Sequence, residues 1–262
     1  MKKVLFAMAS VAMMVSMMGC EPREKGPSQQ EILTNIMGTW KLSAKDGKEC
    51  PTDEKFVITY NNDGTRLSSA SMYFSTIDKY VWSVKQLGYY FVSDNELVEY
   101  NKQNSVHFAV NRINSQEMVL TENKAIMDGK EYLLNEKQSY SRCQSVTDYS
   151  AAIIGIWKGV EMTGDSTHGD ANHRWEYKMD GTYTYYSYDE QAGWVPSDNK
   201  MNEYNIHGDW LATRWTESND VTNYEWWDVA CITADTMKWE ALRKNNDGTT
   251  FRTTFTLARI KE

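Results

Sequence analysis

Cysteine and proline are scarce in this chain, four of each in 262 residues, and no two cysteines form a Cys-x-x-Cys pair. That excludes a zinc ribbon and a thioredoxin-type redox motif. Histidine is as rare, at four residues, so a Ser-His-Asp site has no motif behind it. The stretch Gly164-Asp165-Ser166-Thr167-His168 lacks the closing glycine of a nucleophile elbow. There is no glycine-rich phosphate loop. Basic residues are in deficit, 28 against 36 acidic, which argues against nucleic acid as a partner and against a polybasic membrane-surface patch. With so many carboxylates, chance pairs abound, and no glycosidase-like dyad is argued. No catalytic residue, bound metal or cofactor is therefore expected, and the chain is not expected to be an enzyme.

Long apolar runs are also missing, with one exception at the start. Lys2 and Lys3 precede Val4–Met18, fifteen uncharged and mostly apolar residues, followed by Gly19 and Cys20. A bilayer span needs about 20 such residues, so the run fits the h-region of a signal peptide. Its end resembles the lipobox of bacterial lipoproteins, with Met17 and Met18 standing where that motif has leucine and a small residue. The resemblance implies that residues 1–19 are removed and that Cys20 carries the acyl chains. Each buried methylene adds about 0.8 kcal/mol, so two or three chains hold a protein firmly to a membrane. It also implies a place in the cell envelope, on the outer membrane of a Gram-negative bacterium. Residues 20–27, charged and holding Pro22 and Pro27, read as the tether. Removing the leader lowers the basic count from 28 to 26 and moves the net charge from −8 to −10.

The rest of the chain reads as a tandem repeat with an offset of 117 residues. Ser28 falls on Ser145, Glu31 on Asp148, Ile36 on Ile153, Gly38 on Gly155 and Trp40-Lys41 on Trp157-Lys158. Asp63-Gly64-Thr65 falls on Asp180-Gly181-Thr182, and further on the offset drifts to 119, pairing Val110, Ile113 and Met118 with Val229, Ile232 and Met237. The two units are expected to span residues 28–143 and 144–262. Each opens with a capping-box-like start, Ser28-x-x-Glu31 or Ser145-x-x-Asp148, and one short helix. Strands follow: alternating polar and apolar residues around Asp-Gly turns predict hairpins. A two-residue turn at Asp180-Gly181 pairs Trp175 with Tyr186 and puts Trp175, Tyr177, Met179, Tyr186 and Tyr188 on one inward face, with Ile58, Tyr60 and Leu67 as counterparts in the first unit. Roughly eight short strands per unit predict an all-β fold of two antiparallel meander barrels, each led by a helix.

Gly38-Thr39-Trp40 and Gly155-Ile156-Trp157, after a short helix and before a meander, resemble the Gly-x-Trp of the lipocalins and calycins, and more closely the small lipocalin-like domains of bacterial lipoproteins. The resemblance implies that each Trp sits at a barrel base under a basic residue of the last strand. Arg259 matches that role in the second unit, and Lys137 is the candidate in the first.

Three cysteines remain beyond Cys20. Cys50 and Cys143 lie near the ends of the first unit, and in an exported protein they are expected to pair; Cys231 reads as a buried thiol. The loop Gly164–His173 holds two histidines and two aspartates but matches no metal-site spacing, so it reads as a solvated loop.

Eight of the ten tryptophans lie in the second unit, with only Trp40 and Trp82 in the first. Aromatic faces line apolar pockets and stack on sugars, and they also fill cores. The expected function is non-enzymatic binding of a small apolar molecule or a glycan inside the second barrel, by Trp175, Tyr177, Tyr186, Tyr188, Trp210 and Trp226. The alternative is a structural or accessory surface lipoprotein with filled barrels that acts through protein–protein contacts.

Overall fold

The computed structural model of this chain describes residues 26–74, 79–83, 85–143, 149–164 and 172–261. The expected leader, Cys20 and the tether as far as Lys25 lie outside these residues, as do Ser145, Asp148 and the loop Asp165–Ala171.

The first unit runs α1 (Gln29–Ile36), β1 (Gly38–Lys45), β2 (Lys48–Glu49), a 3-10 turn (Thr52–Glu54), β3 (Phe56–Tyr60), β4 (Thr65–Phe74), β5 (Lys79–Trp82), β6 (Gln86–Ser93), β7 (Glu96–Tyr100), β8 (Ser105–Ile113), β9 (Glu117–Met127) and β10 (Lys130–Arg142). The second runs α2 (Tyr149–Ala152), β11 (Gly155–Thr163), β12 (His173–Tyr177), β13 (Tyr183–Asp189), β14 (Gly193–Pro196), β15 (Met201–His207), β16 (Trp210–Thr216), β17 (Thr222–Ile232), β18 (Thr236–Lys244) and β19 (Thr250–Ile260). All strand pairs are antiparallel, and the two sheets are the two expected tandem barrels.

Helix α1 forms where the sequence places its cap. Glu31 N–H donates to Ser28 Oγ at 3.3 Å, and Ser28 N–H donates back to Glu31 Oε2 at 2.8 Å. The helix buries Ile32 and Ile36 beneath the first barrel. Trp40 then sits fully buried at the base, its indole N–H donating to Ile36 O at 2.7 Å. The second unit repeats this: Trp157 is fully buried and donates to Ile153 O at 2.7 Å. The basic residue over each ring comes from the last strand, with Arg142 and Arg259 each 4.1 Å from its ring centre. Arg142, not Lys137, fills the role in the first unit; Arg142 plus 117 is Arg259. Arg142 donates to Asn35 O and Met37 O, and Arg259 to Ala152 O and Ile154 O, so each guanidinium caps the end of its helix.

The first barrel closes. β1 pairs with β3 on one side and β10 on the other, and the ring runs on through β4, β6, β7, β8 and β9. Its inside is packed with Leu42, Ile58, Tyr60, Leu97, Phe108, Val110 and Leu120. A polar group sits among them: Glu99, buried, accepts from the Tyr60 hydroxyl and lies 3.1 Å from Arg66 Nε. Burial holds the Glu99 carboxyl above its usual range despite the opposing pull of Arg66 and Tyr60.

The Asp-Gly-Thr hairpins differ from expectation by one residue. Lys178 N–H donates to Thr182 O, and Gly181, at φ +81°, follows a turn in which its N–H reaches Lys178 O. This is a three-residue loop with the glycine in the left-handed position, not a two-residue one. Thr182 is fixed by Asp180, whose Oδ1 accepts from its N–H and its hydroxyl. The register is therefore Tyr177↔Tyr183 and Trp175↔Tyr185. One residue of slip turns the whole following strand over. Tyr183 and Tyr185 face in; Tyr186 and Tyr188 face out. In the first unit the same loop places Arg66, not Leu67, opposite Tyr60, so Leu67 leaves the inward face.

Cys50 and Cys143 are both buried and both free, so the expected disulfide is absent. Cys143 instead reaches across to Asp209 Oδ1 at 3.5 Å. Cys231 is a free thiol, partly exposed.

That contact belongs to a broad junction between the barrels. Val57 and Trp82 of the first pack against Trp210, Ala212 and Trp226 of the second. Beside them Asp228 accepts from Lys41 Nζ at 2.9 Å, Lys55 Nζ at 3.0 Å and Thr52 Oγ1 at 2.9 Å, while Lys41 also meets Asp209 at 2.8 Å. His207 bridges Thr59 and Ser69 of the first barrel at 2.9 Å each. A junction with paired buried charges and an aromatic core holds the two barrels as one body.

Candidate functional site: the interior of the second barrel

The second barrel is the first barrel with one side unfastened. Both begin the same clasp: Tyr90 N–H donates to Gly64 O and Tyr204 N–H to Gly181 O, each at 2.9 Å. Both stack the same rings edge to face, Tyr60 on Tyr90 and Tyr177 on Tyr204, each at 4.9 Å. Beyond the clasp the units part. In the first, β4 and β6 stay paired from Thr65↔Tyr89 to Ser68↔Gln86. In the second, the equivalent strands β13 and β15 meet at a single bridge, Thr182↔Glu203. β13 turns to pair with β14 instead, and the connection Ser197–Lys200 crosses the gap, with Ser197 N–H held by Tyr185 O. Strands β14 and β15 are thus the two edges of the second sheet, with an open seam between them.

Behind the seam lies a cavity of about 310 Å³. His173, Trp175 and Tyr177 of β12 and Tyr183 and Tyr185 of β13 form one wall; Thr213 and Trp215 of β16, Glu225 and Trp227 of β17, Trp239 of β18 and Phe255 of β19 form the other. Met162, Ser197 and Asn199 complete it. The rings brace each other. Trp175 meets Trp239 at 5.1 Å and Phe255 at 5.5 Å, both edge to face, and Trp227 lies 5.4 Å from Trp239. Such pairs are worth about 0.5–1.5 kcal/mol each beyond burial. His173 Nδ1 and the Tyr185 hydroxyl are 2.6 Å apart. Burial pushes the Tyr177 and Tyr183 hydroxyls well above the ordinary tyrosine range, so both stay protonated donors. Arg243 lies 4.6 Å from the Trp227 ring centre and 3.5 Å from Glu225.

Of the six residues expected to bind a ligand, Trp175 and Tyr177 line this cavity. Four do not. Tyr186 is on the outer face, its hydroxyl donating to Glu176 at 2.9 Å and its ring under Arg174. Tyr188 is exposed outside and touches Trp194. Trp210 and Trp226 belong to the junction between barrels, where Trp210 donates to Thr52 O at 2.9 Å. The sequence reading missed His173, Tyr183, Tyr185, Trp215, Trp227, Trp239 and Phe255. One signal was present for Trp227: the repeat aligns Val229 with Val110, and period two from Val229 selects Trp227 over Trp226.

The tryptophan excess now divides by place. Trp157 is the base, Trp175, Trp215, Trp227 and Trp239 line the cavity, Trp210 and Trp226 join the barrels, and Trp194 lies outside against Tyr188 with Lys158 Nζ at 5.6 Å. Among the described residues no three His, Cys, Asp or Glu side chains gather as a metal site.

No protein-family model and no curated protein matches the chain. Solved structures similar to it include a protein of unknown function of the DUF3598 family from Nostoc punctiforme, 12% identical, covering 89% of this chain and 100% of that one, with a TM-score of 0.23. A tryptophan-to-alanine mutant of the vaccine antigen transferrin binding protein B from Haemophilus parasuis is 7% identical, with coverage of 90% and 77% and a TM-score of 0.25.

Proposed function

We propose that this chain is a lipid-anchored, non-enzymatic protein of the bacterial cell envelope whose second barrel holds a small molecule with an apolar face. The observation that carries the reading is the cavity of about 310 Å³, walled by aromatic rings and open at an unpaired seam. That volume lies at the lower end of the range for small-molecule sites, and its lining combines apolar rings with a few polar groups. The first barrel serves as the mount: it closes, packs its interior and grips the second barrel through Asp228. The anchor rests on the lipobox-like end of the leader at Cys20.

The test is an equilibrium titration of the intrinsic tryptophan fluorescence with sugars and with apolar compounds. Binding is expected to shift the emission and to weaken at least tenfold in Trp175→Ala, while Trp194→Ala, altered outside the barrel, binds as the parent does. Silence of every compound class, or equal loss in both variants, overturns the reading. The anchor is tested separately by metabolic labelling with palmitate, which Cys20→Ser is expected to abolish.

A second reading, an accessory role through protein–protein contacts, is favoured by one observation. Leu87, Tyr89, Phe91 and Tyr100 form an exposed apolar strip on β6 and β7 of the first barrel, with Tyr89 and Tyr100 5.6 Å apart.

A further inference from the structure

The cavity wall carries more hydrogen-bonding capacity than an apolar guest needs. The Tyr177 and Ser197 hydroxyls and the indole N–H groups of Trp227 and Trp239 belong to cavity-lining residues, are buried within the wall and have no partner among the described residues, so a guest meets them where the neighbouring side chains give way. A buried donor left unsatisfied costs about 1–3 kcal/mol. Phenylalanine, alanine or leucine at these places would pack a dry pocket without that cost. Indoles elsewhere in the chain show the contrast: Trp40, Trp157 and Trp210 each donate to a carbonyl. Trp82 and Trp226 also lack partners, but they sit packed against each other's neighbours in the junction and share no cavity with the other four.

The charge of the lining narrows the guest further. Among the described residues no lysine or arginine lines the cavity and its one carboxylate is Glu225, which already pairs with Arg243, so a fatty acid or a phosphorylated compound finds no free countercharge inside. Acceptors are supplied by Glu225, Asn199 and Thr213. The guest that uses all of this is uncharged, carries oxygens that both accept and donate, and has C–H faces to lay on rings. We infer that the second barrel binds a neutral sugar of one or two rings, entering at the seam between β14 and β15, stacked among Trp175, Trp227 and Trp239 and accepting hydrogen bonds from Tyr177 and Ser197. The inference rests on the cavity reading above and deepens it.

The experiment is calorimetric and fluorescence titration of the full chain, without detergent, against three sets of probes. The first is neutral sugars: glucose, galactose, mannose, N-acetylglucosamine, maltose, lactose and chitobiose. The second is palmitate and dodecanol. The third is tetramethylammonium, which an aromatic cage with one carboxylate would take by cation–π attraction. At least one sugar is expected to bind, with the two other sets silent. Trp239→Phe, which keeps a ring and removes the N–H, and Tyr177→Phe are each expected to weaken that sugar at least fivefold, while Tyr188→Ala leaves it unchanged. Binding of dodecanol, palmitate or tetramethylammonium with every sugar silent overturns the sugar inference and leaves the cavity reading standing. Sugar binding that both phenylalanine variants retain in full also overturns it. Silence of all three sets overturns both.

Discussion

The guanidinium of Arg259 rests 4.1 Å from the centre of the Trp157 ring and, in the same pose, donates at 2.7 Å to the carbonyls of Ala152 and Ile154. One side chain thus ties the last strand to the first and seals the end of the short helix before it. Arg142 and Trp40 repeat the arrangement 117 residues earlier.

The first prediction follows from that clamp. Arg259→Ala removes two charge-assisted hydrogen bonds and a cation–π contact, and is expected to cost roughly 2–4 kcal/mol. Arg259→Lys recovers less than half, since one ammonium does not span two carbonyls as a planar fork does. Gly155→Ala strikes the same clamp from below: φ there is +122°, and an added Cβ stands 2.7 Å from Arg259 Nη1. Urea unfolding of the three variants checks the order, and an undisturbed Arg259→Ala midpoint defeats it.

The second concerns the charges between the barrels. Burial pushes the Asp228 carboxyl up, yet Lys41 and Lys55 outweigh burial and hold it below its ordinary 3.8. Burial pulls Lys41 down, and Asp228 with Asp209 more than reverses this, raising it from its ordinary 10.5. A depressed acid stabilises the fold fully above its unfolded pKa and loses that as pH falls through the folded one. A raised base stabilises fully below its unfolded pKa and loses that as pH climbs through the folded one. The junction is therefore at full strength between about pH 5 and pH 9, weakening below about pH 3.8 and above about pH 10.5. Asp228→Asn leaves Lys55 without its carboxylate and Lys41 with Asp209 alone, and is expected to cost roughly 3–5 kcal/mol at pH 7. Melting temperatures of parent and variant from pH 2 to 7 should converge at the acid end; a constant gap would contradict the assignment.

The third sets one buried tyrosine against another. Tyr60→Phe takes a donor from buried Glu99 and is expected to cost about 1.5–3 kcal/mol. Tyr177→Phe removes a hydroxyl with no partner, and is expected to leave stability unchanged or raise it by up to about 1 kcal/mol. Paired urea curves decide; a Tyr177→Phe loss as large as that of Tyr60→Phe would mean that hydroxyl already has a structural partner.

Much of this architecture is written in local pattern. The capping box at Ser28, the Gly-x-Trp pairs and the Asp-Gly-Thr turns all act within a few residues, and each is visible as such. Arg142 was visible too, since the offset that relates Trp40 to Trp157 carries it onto Arg259. What failed was governed by one residue or by distance. A three-residue loop and a two-residue loop share the same Asp-Gly, and the choice between them decided whether Tyr185 or Tyr186 looks inward. Trp226 and Trp227 are adjacent, and which faces the cavity is told only by the repeat, through Val229 and its counterpart Val110, and by no cue in their own neighbourhood. The junction lay beyond reach altogether: Lys41 and Asp228 are 187 residues apart, and nothing in either neighbourhood announces the other. The exposed-looking charges of the sequence include three that are among the better shielded in the fold, Lys41, Lys55 and Asp228.

The seam has a consequence beyond entry. A closed barrel has no free backbone amides along its wall, whereas β14 and β15 present two rows of them to any extended chain that comes near, including one from a neighbouring copy. The edges carry the marks of that hazard. β14 ends in Pro196, which has no N–H to offer, and β15 is short and polar, with Asn202, Glu203 and Asn205 along it and the Lys200–Asp220 ion pair at its head. An open wall must turn away other strands, and Pro196 on one edge and the polar run on the other do so here.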